Sequence, residues 1–440
     1  MFNIKFTKVL AILICFTSIC INVHGQDLKT YPLRNLKAKP EKQTDLTSVQ
    51  SVESGLDRLV RSGFEMLRNK NVGLICNHTA RDKDKRHIVD LISDGGVCRI
   101  VAIFGPEHGY RGMVQGGEKV QNAIDPVSGA RIYSLYGKIR KPNKEMLEGI
   151  DVLIYDIQDV GARFYTYIST MSNVMESAAE NDIPFVVLDR PNPIRGDRIE
   201  GPILDIDYRS FIGKHTIPIR YGLTSGELAM LINNEGYLGK DLKADLEVIK
   251  MKGWSRDMWF DETGLPWISP SPNMTTVETA MIYPGFCLLE GTNISEGRGT
   301  DKPFLICGAP WIEGKSLAES LNSRQLKGVV FVPRDFTPVS IPNVSANPKY
   351  KNRECSGIKM IISDRNNFLP IETAVVVIDE MKRNYPENFR FKDGWFDKLC
   401  GSSYLRLALM ESKNPYTVFS QWRKDVAKFE KIAKKYCLYR

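Results

Sequence analysis

Four apolar runs limit what this chain can fold into. Val72–Cys76, Ile100–Phe104, Val152–Tyr155 and Phe185–Leu188 are each of strand length and continuous, without the polar alternation of a strand that has one wet face. A run of this kind needs apolar packing on both faces, as in a parallel sheet covered by helices. Between the last two, Ile168, Met171, Met175, Ala178 and Ala179 recur at three- and four-residue spacing, which predicts a covering helix. Another is predicted from Thr224, spaced from Glu227 as in a capping box and followed by Leu228, Leu231 and Ile232. Alternating strands and helices predict a doubly wound α/β domain with a mostly parallel sheet over residues 55–280.

Beyond residue 281 the pattern changes. A second capping box is read at Thr275–Glu278, after the Pro-rich stretch Trp267–Met274. Strands over Gly328–Val332 and Gly357–Ile362 are followed by a helix over Pro370–Arg383. A last helix carries Phe419, Trp422, Val426, Phe429, Ile432 and Tyr436 on one stripe. These elements predict a smaller α+β domain over residues 281–440 that completes a cleft. The length of 440 residues agrees, since about 150 residues per domain gives two to three domains.

At the N-terminus Lys5 and Lys8 precede the apolar run Val9–Val23, which breaks at His24-Gly25-Gln26. This predicts a secretory signal peptide over residues 1–25, a flexible leader over 26–54, and an exported protein in the periplasm. The run falls short of the ~20 residues that span a bilayer, so no stable membrane span is expected. Lipid attachment at Cys20 is the competing reading, against which Ile19 stands where such a signal wants Gly or Ala. Cys76, Cys98, Cys287, Cys307, Cys355, Cys400 and Cys437 form no C-x-x-C pair and suggest neither a disulfide framework nor a zinc site. The formal net charge of +8 is spread along the chain without a Lys/Arg cluster, which argues against a nucleic-acid partner.

Ligands of open α/β sheets bind beyond the carboxyl ends of the strands. The four runs are followed by Asn77-His78-Thr79, by Gly105-Pro106-Glu107-His108-Gly109, by Asp156 to Tyr165, and by Asp189-Arg190-Pro191-Asn192-Pro193. Glu107, on a glycine-flanked turn, is the first candidate for a general acid, with His108 to orient it. Asp156 and Asp159 are candidates for a second carboxylate, and each could instead pair with Arg163 as scaffold. Asp189 and Arg190 read better as a structural pair. Asn77, His78, Asp159, Arg163, Tyr165, Arg190 and Asn192 together predict a polar rim for substrate.

The later half adds Asn273 and the loop Glu290 to Thr300, where glycines alternate with Glu290, Thr292, Asn293, Glu296 and Arg298 as a polar ligand requires. Trp254, Trp259, Trp267 and Trp311 offer faces on which a sugar could stack. A metal held by His78, His108, Asp156 and Asp189 is conceivable, but the spacings match no ligand signature, and no metal or other cofactor is expected. A G-x-G-x-x-G turn and a G-x-S-x-G elbow are both absent, which disfavours a dinucleotide and a serine nucleophile.

Six segments in order resemble one family from about Gly55 onward. They are Gly105–Gly109, Tyr133–Gly137, Asp156–Tyr165, Asp189–Pro193, Pro270–Met274 and Glu290–Thr300. The family is the exo-β-N-acetylmuramidases of peptidoglycan turnover, formerly a domain of unknown function. The resemblance implies a Rossmann-like catalytic domain and a smaller C-terminal domain. It also implies removal of N-acetylmuramic acid from the non-reducing ends of peptidoglycan fragments, with Glu107 as the catalytic glutamate. It does not fix the second catalytic group. A non-catalytic muropeptide receptor and a metal-dependent hydrolase using His78, His108 and Asp156 stand as alternatives.

Overall fold

A computed structural model of the chain describes residues 51–111, 123–239 and 241–440. The predicted signal peptide, and the predicted leader up to residue 50, lie outside the described residues. Residues 51–54, placed in the leader by the sequence reading, are instead packed: Val52 is buried, and Glu53 exchanges backbone hydrogen bonds of 2.9 Å with Lys252. Ser54 caps α1 (Gly55–Arg61) in a capping box with Asp57. The polar composition of this stretch hid a segment that the domain uses.

β1 (Asn71–Cys76), α2 (Ile88–Gly95), β2 (Arg99–Gly105), β3 (Ala123–Ile124) and β4 (Arg131–Ser134) follow. Then come β5 (Val152–Asp156), α3 (Tyr167–Glu180), β6 (Phe185–Leu188) and a ribbon of β7 (Glu200–Ile203) with β8 (Pro218–Arg220). α4 (Ser225–Asn234), started by the Thr224–Glu227 capping box, leads to β9 (Leu246–Ile249). Among the described residues seven strands form one sheet in the order β3-β4-β2-β1-β5-β6-β9, parallel except for the β3–β4 pair. The continuous apolar runs now have their cause. Leu74, Ile103 and Ile154 pack beneath α1 and α2, while Ile75, Phe104 and Tyr155 pack on the other face with α3 and α4.

α5 (Val277–Phe286) continues the chain into β10 (Ile306–Ala309), α6 (Gly314–Ser323), β11 (Val329–Phe336) and β12 (Cys355–Ile362). α7 (Pro370–Asn384), α8 (Asp393–Cys400), α9 (Tyr404–Met410) and α10 (Pro415–Ala433) complete it. The three strands form an antiparallel sheet in the order β10-β12-β11. The predicted division at 280/281 falls inside α5, which is capped by Thr276 through Thr279 N at 3.1 Å, one residue later than the spacing from Thr275 suggested. α5 packs on α7 so closely that a Cβ on Gly285 would lie 1.9 Å from the Pro370 carbonyl oxygen. One apolar cluster runs from α3 through α5 and α7 to α10, so the two halves share a core. Beyond α10, Tyr439 donates to Asp189 at 2.6 Å and the Leu438 N–H donates to Glu227 at 2.8 Å, back at the large sheet.

Candidate active site

The turn after β2 is shaped by its backbone. Gly109 N–H donates to the Pro106 carbonyl at 3.0 Å, with His108 and Gly109 both at positive φ, 70° and 73°. Glycine takes that conformation freely, but histidine does so at a cost, and strain of this kind collects at working sites. The half-buried Glu107 side chain accepts a hydrogen bond of 3.0 Å from the hydroxyl of Thr166, the residue that precedes α3. Burial, and then the adjacent Glu107 carboxylate, push the Tyr136 phenol up to about 12, which keeps it a neutral donor.

Glu107 stands at the junction of two cavities. The smaller, about 230 Å³, is lined by His108, Tyr165, Tyr167, Ser271, Asn273 and Asn343 among others. The larger, about 430 Å³, is lined by Tyr136, Arg140, Phe211, Glu290, Trp395 and Lys398 among others. Glu107, Phe164, Thr166, Tyr283 and Arg298 line both. The cleft is therefore two-lobed, with walls from both halves of the chain and, among the described residues, one carboxylate where the lobes meet. Arg298 donates to Glu290 at 2.8 Å, and Glu296 lies behind it at 3.6 Å. Burial opposes the charge on Arg298, but Glu290 and Glu296 outweigh it and hold the guanidinium above its ordinary range. A carboxyl at the meeting point of two compartments, surrounded by hydroxyls, amides and aromatic faces, suits acid catalysis at a bond between two sugars.

Residues 72–278 match the family described as Exo-beta-N-acetylmuramidase NamZ, N-terminal, and residues 281–439 match its C-terminal counterpart. The chain belongs to the exo-β-N-acetylmuramidase NamZ family. It is 44% identical over 403 residues to the peptidoglycan beta-N-acetylmuramidase NamZ of Bacillus subtilis (strain 168), covering 91% of this chain and 95% of that protein. Two solved structures of DUF1343 family proteins from Bacteroides fragilis NCTC 9343 are also similar. One has a TM-score of 0.82 at 38% identity and covers 89% of this chain and 99% of its own. The other has a TM-score of 0.72 at 34% identity and covers 88% and 99%.

In this NamZ-family chain the cleft gathers Glu107, His108, Tyr165, Asn273, Glu290 and Arg298 of the residues singled out from sequence. The others line neither lobe, and their partners say why. Asp156 is fully buried and paired in two-pronged fashion with Arg190, through Nε at 2.5 Å and Nη2 at 2.8 Å, so each neutralises the other inside the sheet edge. Asp189 is held by Thr224, Tyr439 and the Gly226 N–H rather than by Arg190. Arg163 is buried and donates to the carbonyls of Pro202, Ile217 and Leu399. Asn77 accepts from the Thr79 N–H and hydroxyl, and His78 Nε2 lies 2.7 Å from the Ser269 carbonyl. Asn192 donates to the Leu223 carbonyl.

Thr292 is buried against the Leu289 carbonyl, Asn293 clamps residues 388 and 390, and Glu296 pairs with Lys349 at 2.9 Å. The imidazole–carboxylate set considered for a metal is thus dispersed. Among the described residues no group of three His, Cys, Asp or Glu side chains is placed to hold an ion. The tryptophans are corrected too. Trp254 packs on Tyr439, Trp259 on arginines, Trp267 on Phe260 and Trp311 on Tyr385, whereas the ring that lines the cleft belongs to Trp395.

The crevice between β1 and β5, where the strand order reverses, is closed by these contacts. Gln158 N–H donates to Thr79 at 2.9 Å there, and the remaining space is about 20 Å³. The cleft is displaced to the β2 and β5 loops and roofed by the later half. Asp159, beneath it, accepts from Tyr221 and from the Gly161 N–H at 2.7 Å. Burial outweighs these bonds and pushes its carboxyl from 3.8 up to about 6. Between about pH 4 and pH 6 the folded chain holds this proton and the unfolded chain does not, so its contribution to stability is lost as pH rises through that window. Urea midpoints of the wild type relative to Asp159→Asn are expected to fall from pH 4.5 to 6.5 and then level. A difference independent of pH would show that Asp159 is ionised throughout.

Proposed function

We propose that the chain is an exo-acting glycoside hydrolase that releases N-acetylmuramic acid from the non-reducing ends of peptidoglycan fragments, with Glu107 as the general acid. The observation that carries this reading is the Glu107 carboxylate at the junction of two sugar-sized lobes, in a chain 44% identical to a peptidoglycan muramidase. Protonated Glu107 donates to the oxygen that leaves with the second sugar, and Thr166 and Tyr136 hold the carboxyl in place. Glycoside hydrolysis needs a second group across the ring, either another carboxylate or the substrate's own acetamide. Among the described residues Glu290 is the other carboxylate lining the lobes, and Arg298 ties it down. The acetamide of the sugar itself therefore fills this role in our reading.

The test is purified protein with a chromogenic β-N-acetylmuramide beside the matching β-N-acetylglucosaminide, each with and without EDTA. Cleavage of the muramide, much slower cleavage of the glucosaminide and no effect of chelator are expected. No cleavage of either, with muropeptide still bound, would turn the reading to a receptor. Loss of activity in EDTA would turn it to a metal-dependent hydrolase.

Export to the periplasm belongs to the same proposal and is supported by Lys5, Lys8 and the Val9–Val23 run. The mature chain is expected to begin near Gln26 and to appear in the periplasmic fraction without detergent. A diacylglyceryl group on Cys20, seen by mass spectrometry, would place the protein on a lipid anchor instead. No helix of the described residues is long and apolar enough to cross a membrane.

A further inference from the structure

The two lobes differ in size and in charge, and so do the two sugars of the substrate proposed above. We propose that the larger lobe takes the muramic acid sugar, its lactyl carboxylate held by Arg140 and Lys398, and that the smaller lobe takes the leaving glucosamine. This deepens the muramidase reading and rests on it.

Charge accounting separates the lobes. Among the described residues, apart from His108 and the shared Glu107 and Arg298, the smaller lobe is lined by uncharged side chains such as Tyr165, Tyr167, Ser271 and Asn273. The larger lobe adds Arg140, Lys398 and Glu290. The Arg298 charge is met by Glu290 at 2.8 Å and by Glu296 behind it, so it has little left for an anion. Arg140 and Lys398 have no ion pair among the described residues. The contrast with the next residue is direct: Lys141 pairs with Glu176 and Glu180 at 2.8 and 2.6 Å outside the lobe. The Arg140 guanidinium instead lies 4.4 Å from the centroid of Phe211, a ring that also lines the lobe, which fixes the cation in advance of binding.

In the same lobe α8 turns Phe396, Leu399 and Cys400 into the core and presents Trp395 and Lys398, three residues apart and so adjacent on the helix surface. Trp395 is 40% exposed, unusual for so large an apolar ring, and offers a face for a sugar beside the ammonium. With Glu107 protonated for catalysis, the two unpaired cations leave the larger lobe positive. A sugar carrying a carboxylate is favoured there, and a sugar without one gains nothing from them. A carboxylate could come from the lactyl group itself or from a peptide stem attached to it.

The experiment measures kcat and KM of wild type, Arg140→Gln, Lys398→Gln and the double variant. Substrates are a disaccharide of N-acetylmuramic acid and N-acetylglucosamine, the same disaccharide with a dipeptide amide-linked to the lactyl group, and a chromogenic β-N-acetylglucosaminide. Both residues are exposed, so the variants are expected to keep the wild-type circular dichroism. The double variant should raise KM for the free disaccharide at least about tenfold, the scale of a lost charge-assisted contact, with kcat within about twofold. KM for the glucosaminide should stay put, and wild-type KM on the disaccharide should rise with salt more steeply than that of the double variant. An unchanged KM in the double variant, with the wild type active, overturns the assignment. A larger loss on the peptide-bearing substrate than on the free disaccharide also overturns it, because the carboxylate recognised is then the peptide's. A wild type inactive on every muramide sinks the underlying function instead.

Discussion

Glu107→Gln is expected to lower kcat on a muramic acid disaccharide by at least ~10² while leaving substrate binding and the fold in place. The turn that presents residue 107 is made by backbone, through the Gly109 N–H on the Pro106 carbonyl and the positive φ of His108 and Gly109, and owes nothing to the charge. Gln occupies the same volume, and its amide oxygen can still accept from Thr166. What disappears is the proton for the departing oxygen. The loss should therefore depend on the leaving group, being large for a sugar alcohol and smaller for an aryl glycoside whose phenolate departs unaided. Comparing the two substrates separates a missing acid from a general disturbance of the cleft, which would lower both alike. Near-normal turnover of the disaccharide would remove Glu107 from the reaction.

The second large effect is on stability. Arg163→Met is expected to cost about 2–4 kcal/mol, because a buried guanidinium now serves three carbonyls that would lose their donors. Burial lowers its pKa to about 10, so the group stays charged at neutral pH and is held there by carbonyl dipoles rather than by a carboxylate. One of those carbonyls, on Leu399, lies at the C-terminal end of α8, where a cation is favoured. The urea midpoint should drop, and turnover of muramide and glucosaminide should fall by a common factor. Arg163→Lys should recover only part of the loss, since an ammonium cannot span the same three acceptors. A selective loss on the muramide with the midpoint unchanged would make Arg163 a ligand to substrate after all.

The large sheet was legible because its four runs are apolar on both faces, a pattern that few other environments tolerate. Glu107 was legible for the same reason, standing just past a buried strand on a turn marked by glycine. The same rule misled at Asp156 and Asp159, and at Asp189 it suggested the wrong structural partner. A carboxylate past a strand end looks alike in sequence whether it faces a ligand or is satisfied by Arg190, Tyr221 or Tyr439, whose positions lie 34, 62 and 250 residues away. Arg163 shows this from the donor side, with acceptors 39, 54 and 236 residues off. Trp395 and Lys398 carry no local signal, because α8 reads as an ordinary amphipathic helix and only the fold reveals that its polar face lines the same cavity as Glu107. Arg140 has no local signal either, being one of 60 Lys and Arg residues spread along the chain.

The seam at Asp189 bears on how such a chain comes to be folded as it is made. Synthesis delivers the large sheet first, and domains usually fold as they emerge. Here the carboxylate at the end of β6 and the Glu227 side chain that starts α4 are completed by Tyr439 and by the Leu438 N–H. Until those residues arrive, the early half carries two acidic groups in surroundings built to be covered. Closing a loop of 250 positions is slow in comparison with local structure. In the folded chain these two carboxylates of the early half are thus satisfied from more than 200 positions downstream, so this seam is expected to form only after Leu438 and Tyr439 have been made.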